Sequence, residues 1–81
     1  MALNRFQHRD CAVTVSALFL SGPRRWRPHL VITRLRENAK HMREQAITDQ
    51  PASFWSANDA LAFGVQQARR LIDGEVPGLR V

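Results

Sequence analysis

CAVTVSALFL, residues 11–20, is the segment of this chain with the clearest strand pattern. Apolar side chains occupy every second position, and hydroxyl side chains fall between them. The apolar set is Val13, Val15, Ala17 and Phe19, and the hydroxyl set is Thr14 and Ser16. Because successive side chains of a strand point to opposite faces, this period of two predicts a β-strand with one buried face.

A second alternating segment follows a short turn. Ser21-Gly22-Pro23 has the composition of a turn, and WRPHLVITRL, residues 26–35, resumes the alternation. The expected inward set is Trp26, Leu30 and Ile32, and the expected outward set is Arg27, His29, Val31 and Thr33. Two such runs joined by a short link predict a β-hairpin.

A third strand is expected over residues 40–47, after a turn at Glu37-Asn38. A helical turn is the alternative, because HMREQAI does not alternate clearly. The strand is favoured because a two-stranded hairpin alone is a poor platform for a helix. Residues 48–53, TDQPAS, are expected to form a loop, since they contain Pro51.

A helix is expected between Ser56 and Gly74. Ser56 is a good N-cap, and Asp59 three residues later has the spacing of a capping box. Trp55, just before the cap, is expected to pack over Ala60. The inward arc is Ala57, Ala60, Leu61, Gly64, Val65, Ala68, Leu71 and Ile72, and the outward arc is Asp59, Gln66, Arg70 and Asp73.

Two features of this helix suggest contacts. Ala60, Gly64 and Ala68 form a stripe of small residues that would let the helix lie close to the sheet, or alternatively form a helix–helix dimer seam. Phe63 falls on the polar arc and is expected to be exposed. With Trp55 it is a candidate self-association surface, although a lone exposed aromatic often has no role.

These elements predict a single α+β domain over residues 1–81. A three-stranded antiparallel sheet (β-β-β) would carry one C-terminal amphipathic helix packed on one face. The ordered core is expected over residues 6–74, with residues 75–81 as a flexible tail that contains Pro77 and Gly78. An 81-residue chain has a small core, so a homodimer is expected.

Catalytic and metal-binding patterns are weak. Cys11 is the only cysteine, and His8, His29 and His41 are scattered, so neither a metal nor another cofactor is expected. His8 and Cys11 are the nearest approach to a nucleophile and base, but within one strand they would face opposite sides. Cys11 is expected to be a small buried hydrophobe. The chain is therefore not expected to be an enzyme.

The sequence also bears on localisation. The longest apolar stretch is far shorter than the ~20 residues that span a bilayer. Arg5 and Arg9 precede the apolar residues 11–20, as in a secretory signal. Asp10, Thr14, Ser16 and the lack of a clear cleavage motif argue against that alternative. A cytoplasmic protein is expected.

Positive charge is concentrated in the part predicted to be sheet. Of the twelve Lys and Arg residues, nine lie in residues 1–50, beside four of the seven acidic residues, and the formal net charge is +5. The candidate nucleic-acid-binding residues are Arg24, Arg25, Arg27, His29, Arg34, Arg36, Lys40 and Arg43. A basic outer sheet face would bind phosphates; the alternative is that it serves only solubility, and exposed aromatic residues for base stacking are not expected.

Two resemblances add to these patterns. Phe54-Trp55-Ser56 into Ala60-Leu61, followed by Ala68-Arg69 and Ile72-Asp73-Gly74, resembles a group of small uncharacterised proteobacterial β-β-β-α proteins, and this similarity implies the fold alone. The order β-β-β-α, with Arg24 to Arg27 near the start of a strand, is similar at the level of the fold to plant ethylene-response-factor domains and integrase arm-binding domains, in which Arg and Trp on the strands contact DNA. The two functional hypotheses are a non-enzymatic module that binds a protein or itself and, as the alternative, a nucleic-acid-binding protein.

Overall fold

The computed structural model describes residues 3–35, 43–47 and 52–80. Its elements are β1 (Leu3–His8), β2 (Cys11–Leu20), β3 (Arg25–Arg34), β4 (Arg43–Ile47) and α1 (Ala57–Asp73). The strands form one antiparallel sheet in the order β1-β2-β3-β4, and α1 packs on one side of it. The α+β class is confirmed, but the sheet has four strands instead of the three predicted.

The strand that the sequence pattern missed is β1. It pairs with the first part of β2, from Leu3 opposite Ser16 to His8 opposite Cys11. The sequence LNRFQH does not alternate between apolar and polar residues, and of its side chains only Phe6 packs against the core. An edge strand held by backbone hydrogen bonds carries little hydrophobic signature, so periodicity does not detect it.

The predicted β2–β3 hairpin is confirmed, with strands that pair along their full lengths. The third predicted strand is β4, which covers residues 43–47 of the predicted range; residues 40–42 lie outside the described residues.

The β1–β2 link is a two-residue turn at Arg9 and Asp10, where Arg9 has a φ of 56°. This left-handed conformation is uncommon for residues other than glycine, asparagine and aspartate.

The hydrophobic core lies between the helix and the middle of the sheet. Strand residues at alternate positions are buried there, as the period of two predicts: Cys11, Val13, Val15 and Ala17 on β2, and Leu30 and Ile32 on β3. Phe19 continues the same alternation but is 53% exposed, with its ring packed against Trp26 at a centroid distance of 5.1 Å. The burial expected for Phe19 is therefore only partial.

The small-residue stripe of α1 faces the sheet. Ala60, Gly64 and Ala68 are buried together with Leu71. A Cβ on Gly64 would lie 2.5 Å from Val15 Cγ1 and 3.0 Å from Leu30 Cδ2. The stripe thus allows a close helix–sheet contact within one chain, and it is not exposed for a helix–helix seam.

Both helix ends have the caps expected from the sequence. The Ser56 hydroxyl accepts a hydrogen bond from the Asp59 backbone N–H at 3.1 Å. At the other end Gly74 has a φ of 77°, and its N–H donates to Leu71 O while the Glu75 N–H donates to Arg70 O. This pair of bonds is a Schellman motif, and it satisfies carbonyls that the helix itself leaves unpaired.

The segment after the helix lies on the same side of the sheet as α1. Val76 and Leu79 pack against the core cluster. The Gln45 side chain on β4 donates to Gly78 O at 2.8 Å and accepts from Arg80 N at 2.7 Å. Residues 75–80 therefore have a docked position, and their flexibility in solution stays a prediction.

Candidate functional site

The candidate site is the side of the sheet that α1 does not cover, which we call the open face. Paired residues of neighbouring strands point to the same side, so the continuous register assigns each side chain. The open face consists of Leu3, Arg5, Gln7, Ala12, Thr14, Ser16, Leu18, Leu20, Arg25, Arg27, His29, Val31, Thr33, Glu44 and Ala46. Each of them is exposed or half-buried, so the face is accessible to solvent apart from buried atoms such as the Nε of Arg27.

Basic residues dominate the charge of the open face. Arg25, Arg27 and His29 lie at successive outward positions of β3, as predicted from the alternation. Arg5 on β1 adds a fourth basic side chain across the sheet, and Glu44 on β4 is the one acidic residue in the set defined above. The face therefore presents a net positive charge to a partner.

Two of the other predicted nucleic-acid-binding residues, Arg34 and Arg43, lie on the opposite side of the sheet. Arg34 and Arg43 are cross-strand partners on the helix side of the sheet, and Arg34 Nη1 is bonded to Asp10 Oδ2 at 2.6 Å. Arg24 is exposed in the β2–β3 turn, with a φ of 54°. Arg36 and Lys40 lie outside the described residues. The six candidates within the described residues thus divide between at least two surfaces.

Trp55 is next to the open face. Phe54 forms a bridge with Trp26 through two backbone hydrogen bonds of 2.7 and 2.8 Å, so this short extended segment runs beside β3. Because Phe54 lies on the helix side with Trp26, the next residue points the other way. The Trp55 ring there lies 4.0 Å from the guanidinium carbon of Arg25. Trp55 therefore lies against Arg25, and it is 72% exposed instead of covering Ala60.

Phe63 is not the exposed residue that the helical projection predicts. It is half-buried, and its ring packs against Phe54 at a centroid distance of 5.2 Å. Phe54 supplies a partner that lies outside the helix, which a projection of the helix alone does not include. Phe63 and Trp55 consequently lie on opposite sides of the sheet and do not form one self-association patch.

One nitrogen of the Arg27 side chain lacks a hydrogen-bond partner among the residues that the structure describes. Its Nε is buried and has no hydrogen-bond partner in the described part of the chain. Leaving a buried donor unpaired costs about 1–3 kcal/mol, and because this Nε is shielded from solvent, an external acceptor reaches it only if the side chain moves. Arg27 is the cross-strand partner of Leu18 on β2, and it follows Trp26, the residue that bridges to Phe54.

A second cluster of charges joins the helix end to the β1–β2 turn. Asp73 Oδ1 accepts from His8 Nε2 at 2.9 Å and from Arg9 Nε at 2.6 Å. A carboxylate at the last turn of a helix is unfavourable for the helix dipole, and these two partners offset that effect. The hydrogen bond from His8, with the charge of Arg9, holds the pKa of Asp73 below its usual 3.8.

This cluster predicts a dependence of stability on acid pH. Because the pKa of Asp73 is lower in the folded chain than in the unfolded chain, its contribution is present above pH 3.8 and is lost as pH falls through the folded pKa. We expect Asp73→Asn to be less stable than the wild type at about pH 7, with the difference shrinking as pH falls below 3.8 and through the lowered folded pKa of Asp73. Urea unfolding across this range measures it, with Glu75→Gln as the exposed control. A difference in unfolding free energy between wild type and Asp73→Asn that did not change with pH would contradict the lowered pKa of Asp73.

His8 and Cys11 are placed differently from the sequence prediction. The turn at Arg9 and Asp10 makes them cross-strand partners on the same face, so the expectation of opposite faces is wrong. Their hydrogen bonds go elsewhere, from His8 to Asp73 and from the Cys11 thiol to Asp10 Oδ1 at 3.6 Å. Burial raises the pKa of the Cys11 thiol, which favours the unreactive form. The predicted role of Cys11 as a buried hydrophobe is confirmed.

Metal-ligand groups and membrane-spanning helices are both absent from the described residues. No three His, Cys, Asp or Glu side chains within 3–35, 43–47 and 52–80 are grouped so as to hold a metal ion. The described helix is neither long nor apolar enough to cross a membrane.

Sequence patterns do not place Arg5 on the open face or Trp55 beside it. Arg5 is not assigned to a strand by periodicity, because β1 lacks a periodic pattern. The capping pattern places Trp55 at the helix start, whereas the extended backbone of Phe54 directs it to the sheet. The signal available in the sequence is the pair Phe54-Trp55 before the N-cap, since two adjacent aromatic residues in an extended segment face opposite sides.

Comparison with protein-family models, with curated proteins and with solved structures gave no match for this chain.

Proposed function

We propose that this chain is a small non-enzymatic interaction module that binds an anionic partner through its open face. The observation that carries the proposal is the position of Arg5, Arg25 and Arg27 on one accessible side of the sheet, opposite the side packed by α1. Apolar side chains lie among them, including Leu18 at 40% exposed and Leu3 at 48%. A mixed basic and apolar surface of this kind suits a partner with negative charge.

The same charges disfavour one form of self-association. Two copies meeting through their open faces would bring the arginines of both copies together, and the chain already carries a formal net charge of +5. Like charges brought together at an interface cost several kcal/mol in typical complexes. An anionic partner therefore fits the open face better than a second copy of it.

A titration tests the proposal with an anion that carries no bases. We expect polyphosphate, added to the isotope-labelled protein at low salt, to shift the NMR signals of Arg25, Arg27 and their neighbours, and to do so less at moderate salt. Charge reversal in the double variant Arg25→Glu, Arg27→Glu should remove these shifts. Arg43→Glu is the matched control, because it is an exposed arginine on the helix side of the sheet. Absence of any shift at low salt would contradict the proposal.

A homodimer is the second candidate, and the observation that favours it is the edge position of β1. Within the described residues β1 pairs only with β2, so the other edge of Leu3–His8 offers backbone groups to a second copy. Pairing of two β1 strands would leave the open faces accessible. Sedimentation equilibrium over a wide concentration range measures the association, and a monomer at every concentration would contradict it.

A further inference from the structure

We infer that the anionic partner of the open face is a single-stranded nucleic acid, one of whose bases stacks on Trp55 while its phosphates lie over Arg25 and Arg27. This inference rests on the proposed function and adds the class of partner. A single strand differs from an acidic peptide because it can place a planar base on the indole. It differs from a duplex because the face of that base is free to stack.

The first argument is the exposure of the indole. Tryptophan side chains usually bury about 150–250 Å² in a core or an interface. Trp55 is 72% exposed even though the Arg25 guanidinium already lies over its ring at 4.0 Å. One face of the ring is thus supported by Arg25 and most of the remaining indole surface is accessible. A base can stack on a ring held in this way, because stacking requires only a flat aromatic face.

The second argument is the position of the charges beside the ring. A guanidinium that stacks on an aromatic ring keeps its N–H groups at its edge, where they can bond to phosphate oxygens. Arg27 is the next outward residue along β3, about 7 Å from Arg25. An aromatic platform with two adjacent cations is the combination that single-strand binding surfaces use.

The third argument concerns the form of the nucleic acid. In a duplex the bases are stacked on each other, so proteins reach their edges in the grooves and not their faces. An indole on an open sheet surface is not shaped to enter a groove. The unpaired bases of a single strand can instead stack flat on the indole ring. The inference therefore commits to single strands and makes the duplex one outcome of the test.

The test compares three single-stranded anions of similar length and charge with a duplex of the same length, which carries about twice their charge. We would measure by fluorescence anisotropy the binding of oligothymidylate of about twelve nucleotides, of oligouridylate, of an abasic strand and of a DNA duplex. Polyglutamate serves as an unlabelled competitor. We expect both base-carrying single strands to bind more tightly than the other anions, and the ratio between the thymidylate and uridylate strands tells whether DNA or RNA is preferred.

Variants identify the stacking residue. Trp55→Ala should weaken binding to oligothymidylate by about 5- to 140-fold, the loss expected for one stacked base, and leave binding to the abasic strand unchanged. Trp55→Phe should restore most of the affinity. Phe19→Ala is the matched control, because Phe19 is also an exposed aromatic residue but lies on the helix side. In a Trp26→Phe background Trp55 is the only remaining tryptophan, so its fluorescence should be quenched by base-carrying strands alone.

The outcomes separate the two proposals. Equal binding of abasic strand and oligothymidylate, or unchanged affinity in Trp55→Ala, would overturn the inference and leave the anion-binding face intact. Duplex or polyglutamate binding as tight as oligothymidylate would overturn it equally. Absence of binding to every anion at low salt would overturn the proposed function itself.

Discussion

Replacing Gly64 by valine is expected to destabilise this protein by about 3 kcal/mol or more, the upper range for overpacking a well-packed core. A Cβ at this position would lie 2.5 Å from Val15 Cγ1 and 3.3 Å from Pro28 Cβ. Both neighbours are stiff side chains on the central strands, so the helix itself would have to move away from the sheet.

The opposing effect is helix propensity. Glycine in a helix interior costs about 1 kcal/mol relative to alanine, so propensity alone would make Gly64→Ala stabilising. We expect the contact with Val15 to outweigh this gain, with Gly64→Ala destabilised and Gly64→Val destabilised further. For a chain of 81 residues, whose total stability is about 4–12 kcal/mol, the valine variant would retain only about 1 kcal/mol at the lower end of that range.

Urea unfolding followed by circular dichroism measures both variants. Ala62→Val is the matched control, because it adds the same side chain at an exposed position of the same helix and should cost less than about 1 kcal/mol. A stabilised Gly64→Ala would mean that the helix lies further from the sheet than described.

Truncating Leu30 to alanine is expected to cost about 2–5 kcal/mol. Leu30 is fully buried in the middle of β3, and its Cδ2 lies 3.0 Å from the position that a Cβ on Gly64 would take. The truncation leaves a cavity between helix and sheet, and the strands around it are too constrained to close it fully.

Val31→Ala is the control for this prediction, because Val31 is the next residue of the same strand but lies on the open face. Its loss should be about 1 kcal/mol or less, since the side chain is only partly buried. Denaturant unfolding at several protein concentrations compares the two variants. A larger loss for Val31→Ala than for Leu30→Ala would contradict the assignment of faces.

The central hairpin and the helix were predictable because each has a strong local pattern. Val13 and Val15 alternate with polar residues, and the helix has a regular apolar arc between Ser56 and Gly74. Both patterns arise from the burial of one face, so they give the type of element and the face together. β1 has no such pattern, because an edge strand buries little side-chain surface. It is recognised as a strand by its pairing with β2 in the structure.

The candidate site was predictable only in part. The alternation of β3 correctly grouped Arg25, Arg27 and His29 on one face. The same alternation places Arg34 on the opposite face, although its charge had grouped it with the others. It gave no reason to add Arg5, whose neighbours depend on how β1 pairs. Trp55 joins the face through the Trp26–Phe54 bridge, a contact between residues 28 positions apart that no local pattern indicates.

The docked segment after the helix has a practical consequence for attaching this protein to a solid support. Gln45 holds Gly78 and Arg80 on the helix side of the sheet, so a tether joined after these residues leaves the molecule from the side opposite Arg25 and Arg27. Immobilisation through that end would turn the basic surface outward from a sensor chip or bead. A tether joined before Leu3 would start at the edge of the basic surface itself and would obstruct it.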